Sequence, residues 1–181
     1  INNDTWPDLL VGTIQSGVKI FLNDKNGDFI TPNGSPAIDS ECAVFGLALA
    51  DLQNDGDLDI YVSTYRSYSL RNNINLKFET AFKEGKQIIE YATDNNTGKK
   101  ITANRFYITP KGEIFESGVS DYILLNNGHG QFEPIKIKDY LIDSNTDASS
   151  YYNNYKNWGL GCIFADLNND FNDDIFVCND L

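Results

Sequence analysis

Asp51–Val62 reads DLQNDGDLDIYV, and Asp166–Val177 reads DLNNDFNDDIFV. The two align without a gap, and Ile1–Val11, INNDTWPDLLV, follows the same pattern from its second position onwards. Asp8, Asp59 and Asp174 hold equivalent places, 51 and 115 residues apart. One unit is therefore about fifty residues long, and the second interval holds either two units or one unit with a large insertion. The flanks Ile60-Tyr61-Val62 and Ile175-Phe176-Val177 are β-branched and aromatic, as strands prefer. A second motif follows the loops: FLNDKNGDF (Phe21–Phe29) after the first and LLNNGHGQF (Leu124–Phe132) after the second. Their Asn26-Gly27 and Asn127-Gly128 pairs signal hairpins. Each unit thus reads as strand, Asx loop, strand, turn, strand.

A weaker copy of the turn motif, LRNNINLKF (Leu70–Phe78), sits closer to the second loop and leaves that unit's turn open. Residues 65–119 read as an insertion. Within it Gln87–Thr93, a DNNTG turn, Lys99–Thr109, a PKG turn and Glu113–Phe115 predict one or two extra hairpins.

Numbering the full loop from Asp51 places side-chain oxygen at position 1 (Asp51), 3 (Gln53), 5 (Asp55) and 9 (Asp59), with Gly56 at 6. The third loop gives Asp166, Asn168, Asp170 and Asp174, with Phe171 where the glycine stood. The first gives Asn2, Asp4 and Asp8, its position 1 falling before Ile1. A backbone carbonyl at position 7 (Trp6, Asp57 or Asn172) could complete a shell. Calcium takes six to eight such oxygens at about 2.3–2.6 Å, whereas magnesium demands a stricter octahedron. Two complete calcium loops and a third truncated at the N-terminus are expected. Without a cation, paired carboxylates repel by roughly 1 kcal/mol even in solvated surroundings. An EF-hand is excluded, because position 12 is Val62 and Val177 rather than glutamate and the flanks are strands.

Composition narrows the function. The 181 residues carry 14 lysines and arginines against 26 aspartates and glutamates, a net charge of −12. No basic stripe is available to displace counterions from a nucleic-acid backbone or to dock on anionic lipid. There are 22 Asn and 19 Asp but only 7 Glu, which favours turns and oxygen-rich loops over helices. No run reaches the roughly 18 apolar residues of a membrane helix. Three cysteines without a CxxC pair and a single histidine, His129, argue against a zinc site. His129 reads as an exposed turn residue.

These residues resemble the FG-GAP/VCBS repeats of calcium-binding β-propellers, found in integrin α heads and in many secreted bacterial proteins. The likeness is closer to the bacterial relatives of cartilage acidic protein, the ASPIC/UnbV-type proteins. There a Gly-led strand precedes an Asp-rich loop, an L/I-Y-V strand and then RNNGDGTF. Here the order is GLALADLQNDGDLDIYVSTYRSYSLR, then SDYILLNNGHGQF, then NWGLGCIFADLNNDFNDDIFVCNDL. The resemblance implies an all-β fold: residues 1–181 as part of one propeller domain of about three blades, with calcium loops between blade strands. It also implies a secreted or cell-surface module, adhesive or scaffolding, binding protein or carbohydrate at the propeller rim, with calcium structural. The chain then reads as a fragment and not an enzyme.

The rival reading is part of a secreted polysaccharide-acting enzyme. Every clustered acid already belongs to a loop, so Glu90, Glu113 and Glu116 would have to supply its acid and base. Cys162 and Cys178 lie symmetrically about the third loop, four residues outside Asp166 and Asp174. They read either as a cross-strand disulfide or as two buried thiols. Trp6 and Trp158 read as core or rim residues. Tyr151, Tyr152, Tyr155 and Trp158 could instead form a ligand surface.

Overall fold

A computed structural model describes residues 1–14, 16–34, 38, 42–66, 75–102, 105–137 and 158–180. Every element named among them is a strand. In chain order these are β1 (Leu9–Gly12), β2 (Val18–Asn23), β3 (Phe29–Ile30), β4 (Cys42–Ala50), β5 (Asp59–Arg66), β6 (Leu76–Lys83) and β7 (Lys86–Asp94). There follow β8 (Lys100–Thr102), β9 (Phe106–Ile108), β10 (Ile114–Glu116), β11 (Tyr122–Asn126), β12 (Phe132–Lys136), β13 (Gly159–Ala165) and β14 (Asp174–Asn179). The chain divides into two compact units, one of Ile1–Ser67 with Val119–Leu181, the other Tyr68–Gly118.

The larger unit contains three antiparallel sheets: β1-β2-β3, the four-stranded β4-β5-β11-β12, and the pair β13-β14. Strand β5, DIYVSTYR, is buried along nearly its whole length, so both faces of the four-stranded sheet are covered. One face sends Ile60, Val62, Tyr122 and Leu124 into a cluster with Val18 and Ile20 of β2. The other sends Tyr61 and Ile123 against Cys162 and Phe164 of β13 and Ile175 and Val177 of β14. The period-2 alternation of a strand thus feeds two different cores.

Two β-bulges recur at equivalent places. Pairing shifts between Val44 and Gly46 in β4, and between Gly159 and Gly161 in β13, leaving Phe45 and Leu160 as the extra residues. Both extra side chains are turned out to solvent. The glycines that follow let the strands approach: a Cβ on Gly46 would lie 3.0 Å from the Gly161 Cα and 3.3 Å from the Cys162 nitrogen. Beside them is a closed polar cluster around Asp121, which is fully buried. Its Oδ2 accepts from the Tyr61 hydroxyl at 2.7 Å, and its Oδ1 from the Thr64 amide at 2.7 Å.

The smaller unit is a meander, β6-β7-β8, with a short hairpin, β9-β10. Ile89, Ala92 and Phe106 form its core, and Phe78 meets Phe106 edge-on at 5.0 Å. The 68–118 unit falls in the stretch read from sequence as an insertion, and its described residues form three hairpins, β6–β7, β7–β8 and β9–β10, where one or two were expected. The expected Lys99–Thr109 strand is divided, residues 103 and 104 lying outside the described residues. Of the weak turn copy, 70–74 likewise lie outside them, and Leu76–Phe78 begins β6.

The Asn-Gly pairs lie in antiparallel hairpins, as expected: Asn23 pairs with Phe29 and Asn126 with Phe132, so each turn has five residues. The pairs fall at different places in these turns, Asn26-Gly27 third and fourth, Asn127-Gly128 first and second. One expectation is corrected: the cysteines are not opposite each other. Ala165 pairs with Asp174, which puts Cys162 across from Val177 and Cys178 across from Gly161. Successive residues face opposite sides, so the two sulfurs point apart and no disulfide joins Cys162 to Cys178. Cys162 packs inward, its thiol directed at the Tyr61 carbonyl at 3.9 Å, and burial pushes it up to about 11. Cys178 is exposed.

Candidate metal centre: three loops of one shape

The three Asx loops share an unusual backbone. Position 4 has positive φ in each: 58° at Asn3, 55° at Asn54 and 63° at Asn169. Position 6 does too, at 72° for Thr5, 90° for Gly56 and 68° for Phe171. Asparagine tolerates this left-handed region better than most residues, and glycine enters it without penalty. Asparagine at position 4 was a sequence signal present in all three repeats, and it identifies the curl that composition alone does not.

Side chains hold that curl in a repeated pattern. At position 1, Asp51 accepts from the Asp55 amide at 3.1 Å and the Gly56 amide at 2.9 Å. Asp166 does the same with Asp170 at 3.1 Å and Phe171 at 2.9 Å. At position 5, Asp4, Asp55 and Asp170 accept from the amides of Trp6, Asp57 and Asn172 at 2.9, 3.0 and 2.8 Å. These amide bonds hold the carboxyls of Asp4 and Asp170 below the ordinary aspartate value of 3.8, helped by the side chains of Asn2 and Asn168. At position 3, Asn2 and Asn168 lie 3.2 and 3.1 Å from the second oxygen of that same aspartate. Gln53, their counterpart, is exposed.

Position 9 ties each loop to its sheet. Asp59 is fully buried; its Oδ2 accepts from Leu52 at 3.0 Å and its Oδ1 from Asn126 at 2.8 Å. Asp8 repeats the second contact with Asn23 at 2.8 Å, and Asp174 repeats the first with Leu167 at 2.9 Å. The Ile1 nitrogen lies 3.1 Å from Asp8, in the place of Leu52. Asn23 and Asn126 end the strands before the two equivalent turns, a role the sequence reading missed although both motifs carry the residue. Burial raises Asp59 above the ordinary value, and the negative charges of Asp55 and Asp51 add to the rise. At position 7, Asp57 turns its side chain to Asn3 of the first loop, which donates to its Oδ1. The first and second loops are therefore side by side.

Among the described residues no three of His, Cys, Asp or Glu are grouped as a ready metal cluster. The carboxylates bend back onto loop amides instead, Asp51 and Asp166 through both oxygens and Asp55 through Oδ1. The donor set is nonetheless that of a hard cation: only oxygen, at alternate positions, in a preformed curl. Asn2 Oδ1 is buried with no hydrogen-bond partner, an orphan that a cation would satisfy. On these grounds the residues fit calcium, with positions 1, 3, 5 and the position-7 carbonyl as the oxygens to hold it.

Phe171 keeps the glycine conformation at 68° while 96% exposed, so its side chain gains no packing in return. A left-handed non-glycine residue costs about 1–2 kcal/mol. Phe171→Gly is expected to stabilise the fold by about 1 kcal/mol, part of the gain offset by chain entropy, and to raise the melting midpoint by about 2–4 °C. A lower midpoint would mean that the aromatic ring is held by a contact.

The other singled-out residues are scattered. Glu116 is buried against Arg105 at 2.7 Å, and Glu90 lies 3.9 Å from Lys83. Glu113 is exposed on the β9–β10 turn, so the three glutamates do not make one site. His129 is exposed, as expected, and Trp6 is on the surface. Trp158 meets Tyr65 at a tilt of 59° with ring centroids 4.7 Å apart, while Tyr151, Tyr152 and Tyr155 lie outside the described residues.

Residues 1–62, which span the first two loops and the strands between them, match the family model of the FG-GAP-like repeat. The described residues are all-β, and this similarity covers about a third of the chain. No curated protein and no solved structure matches the chain. No helix among the described residues is long and apolar enough to cross a membrane.

Proposed function

We propose that the chain is part of a calcium-stabilised β-propeller, a secreted or cell-surface module for protein or carbohydrate binding related to the ASPIC/UnbV-type proteins. The observation that carries this reading is the threefold recurrence of one strained loop conformation, with an acid kept at positions 5 and 9. The four-stranded antiparallel sheet packed between two others supports the propeller, with β1-β2-β3 and β13-β14 as parts of neighbouring blades. Calcium supplies charge neutralisation to the loops. The chain's own part is to aim the oxygens and to link each loop, through position 9, to the sheet. Affinity of about 10⁻⁴–10⁻³ M, usual for extracellular modules, would keep the loops filled outside a cell and empty inside one. Ligand binding then falls to the rim loops and to residues 68–118.

The test is calcium titration followed by thermal unfolding with and without chelator. Several-millimolar calcium, about 5–50 times that Kd, adds about 1–2 kcal/mol per loop, or about 2–8 °C in melting midpoint. The shift should shrink in Asp55→Ala and again in Asp55→Ala/Asp170→Ala. A midpoint that ignores several-millimolar calcium would leave the loops as turns alone.

A further inference from the structure

The three loops share a backbone but not an electrostatic setting. The five-residue turns after Asn23 and Asn126 are equivalent, and their second residues, Lys25 and Gly128, are both left-handed, at 69° and 76°. Beside the second loop this place is glycine, and a Cβ there would lie 2.6 Å from the Asp57 carboxylate and oblige it to move. Beside the first loop it is a lysine, whose ammonium lies 3.3 Å from Asp4 Oδ2. Asp4 is the position-5 acid; its Oδ1 takes the Trp6 amide, and its Oδ2 takes the Asn2 side-chain amide at 3.2 Å beside the lysine. The first loop also has Trp6 where the second has Asp57, so it lacks the acid at position 7. Among the described residues no lysine or arginine pairs with an acid of the second or third loop.

We infer that Lys25 is a tethered counter-ion of the first loop: it neutralises Asp4 in place of a divalent cation and makes this loop the weakest of the three for calcium. The inference rests on the calcium reading above. Lysine costs strain at a left-handed turn position, and the ammonium it brings to Asp4 accounts for a residue there that glycine would otherwise fill.

Trp6, at position 7, makes the first loop separately observable, because terbium bound there is sensitised by its indole. In the full chain, terbium titration is run on the wild type, Lys25→Met and Lys25→Arg, with Trp6→Phe identifying the first-loop signal. Lys25→Met should bind about 5-fold more tightly at that loop, as loss of a partly exposed ion pair allows, while Lys25→Arg stays near the wild type. In chelator, Lys25→Met should melt about 2 °C lower, and added calcium should restore more of its midpoint than it adds to the wild type. Equal terbium half-saturation in the wild type and Lys25→Met overturns the inference. A terbium signal absent from both, and from the other loops, overturns the calcium reading instead. The counter-ion role is then decided by the melt in chelator, where an unchanged midpoint refutes it.

Discussion

Asp59→Ala is expected to lower the melting midpoint by about 10 °C. The carboxylate is fully buried and is the acceptor for two backbone amides, Leu52 at the start of the loop and Asn126 at the end of β11. Alanine leaves both donors unsatisfied at about 1–3 kcal/mol each. Removing a buried negative charge returns part of that cost, which puts the net loss at about 3 kcal/mol. For a chain of this length that amounts to about 6–12 °C. Asp59→Asn keeps one oxygen acceptor and should lose about half as much. Asp174→Ala supplies the contrast. It makes the same loop contact with Leu167 but is only half-buried, and it should lose about 1 kcal/mol. Equal losses at Asp59 and Asp174 in thermal melts would show that the tie to Asn126 has little weight.

Gly159→Ala should cost about 2–3 kcal/mol, for a different reason. A Cβ at Gly159 would run into the Ser63 hydroxyl, 3.0 Å from the Thr64 carbonyl and 3.1 Å from Asp121 Oδ1. The hydroxyl could rotate away, but the carbonyl is backbone and Asp121 is fixed by Tyr61 and Thr64. Overpacking of this kind usually costs about 1–3 kcal/mol. The Ser63 oxygen is buried without a hydrogen-bond partner, so Ser63→Ala alone should be near neutral. It should also rescue Gly159→Ala by about 1 kcal/mol in a double-mutant cycle. Additive single effects would place the clash on the Thr64 carbonyl alone.

The strands and the repeat were legible because they rest on periodicities that survive without tertiary context: β-branched residues around each loop and an acid at fixed positions. What escaped had a tertiary or geometric cause. The Asn-Gly pairs marked both hairpins but not the turn length, since they give two-residue turns only when the flanking strands pair right up to them. Here pairing stops at Asn23–Phe29 and Asn126–Phe132, where Asp24 and Asn127 cap wider turns through their own side chains. The cysteine estimate assumed pairing symmetrical about Asp170. Pairing Ala165 with Asp174 moves the centre by half a residue, enough to place the two sulfurs on opposite faces. Lys25 could not be linked to Asp4 from spacing, since the link requires the turn to fold back over the loop. Asparagine at position 4 could have been seen, being present three times.

The seam between β5 and β11 carries a consequence for folding. Ile60 and Val62 lie opposite Leu124 and Tyr122 in the sheet, yet the chain departs between them through residues 68–118. Closing a segment of about fifty residues costs about 2 kcal/mol more chain entropy than closing the five-residue turn from β11 to β12. The hairpins β4–β5, β6–β7, β11–β12 and β13–β14 can each zip up locally. The join of β5 to β11 cannot, and it completes the central sheet. Assembly therefore waits on that one late pairing.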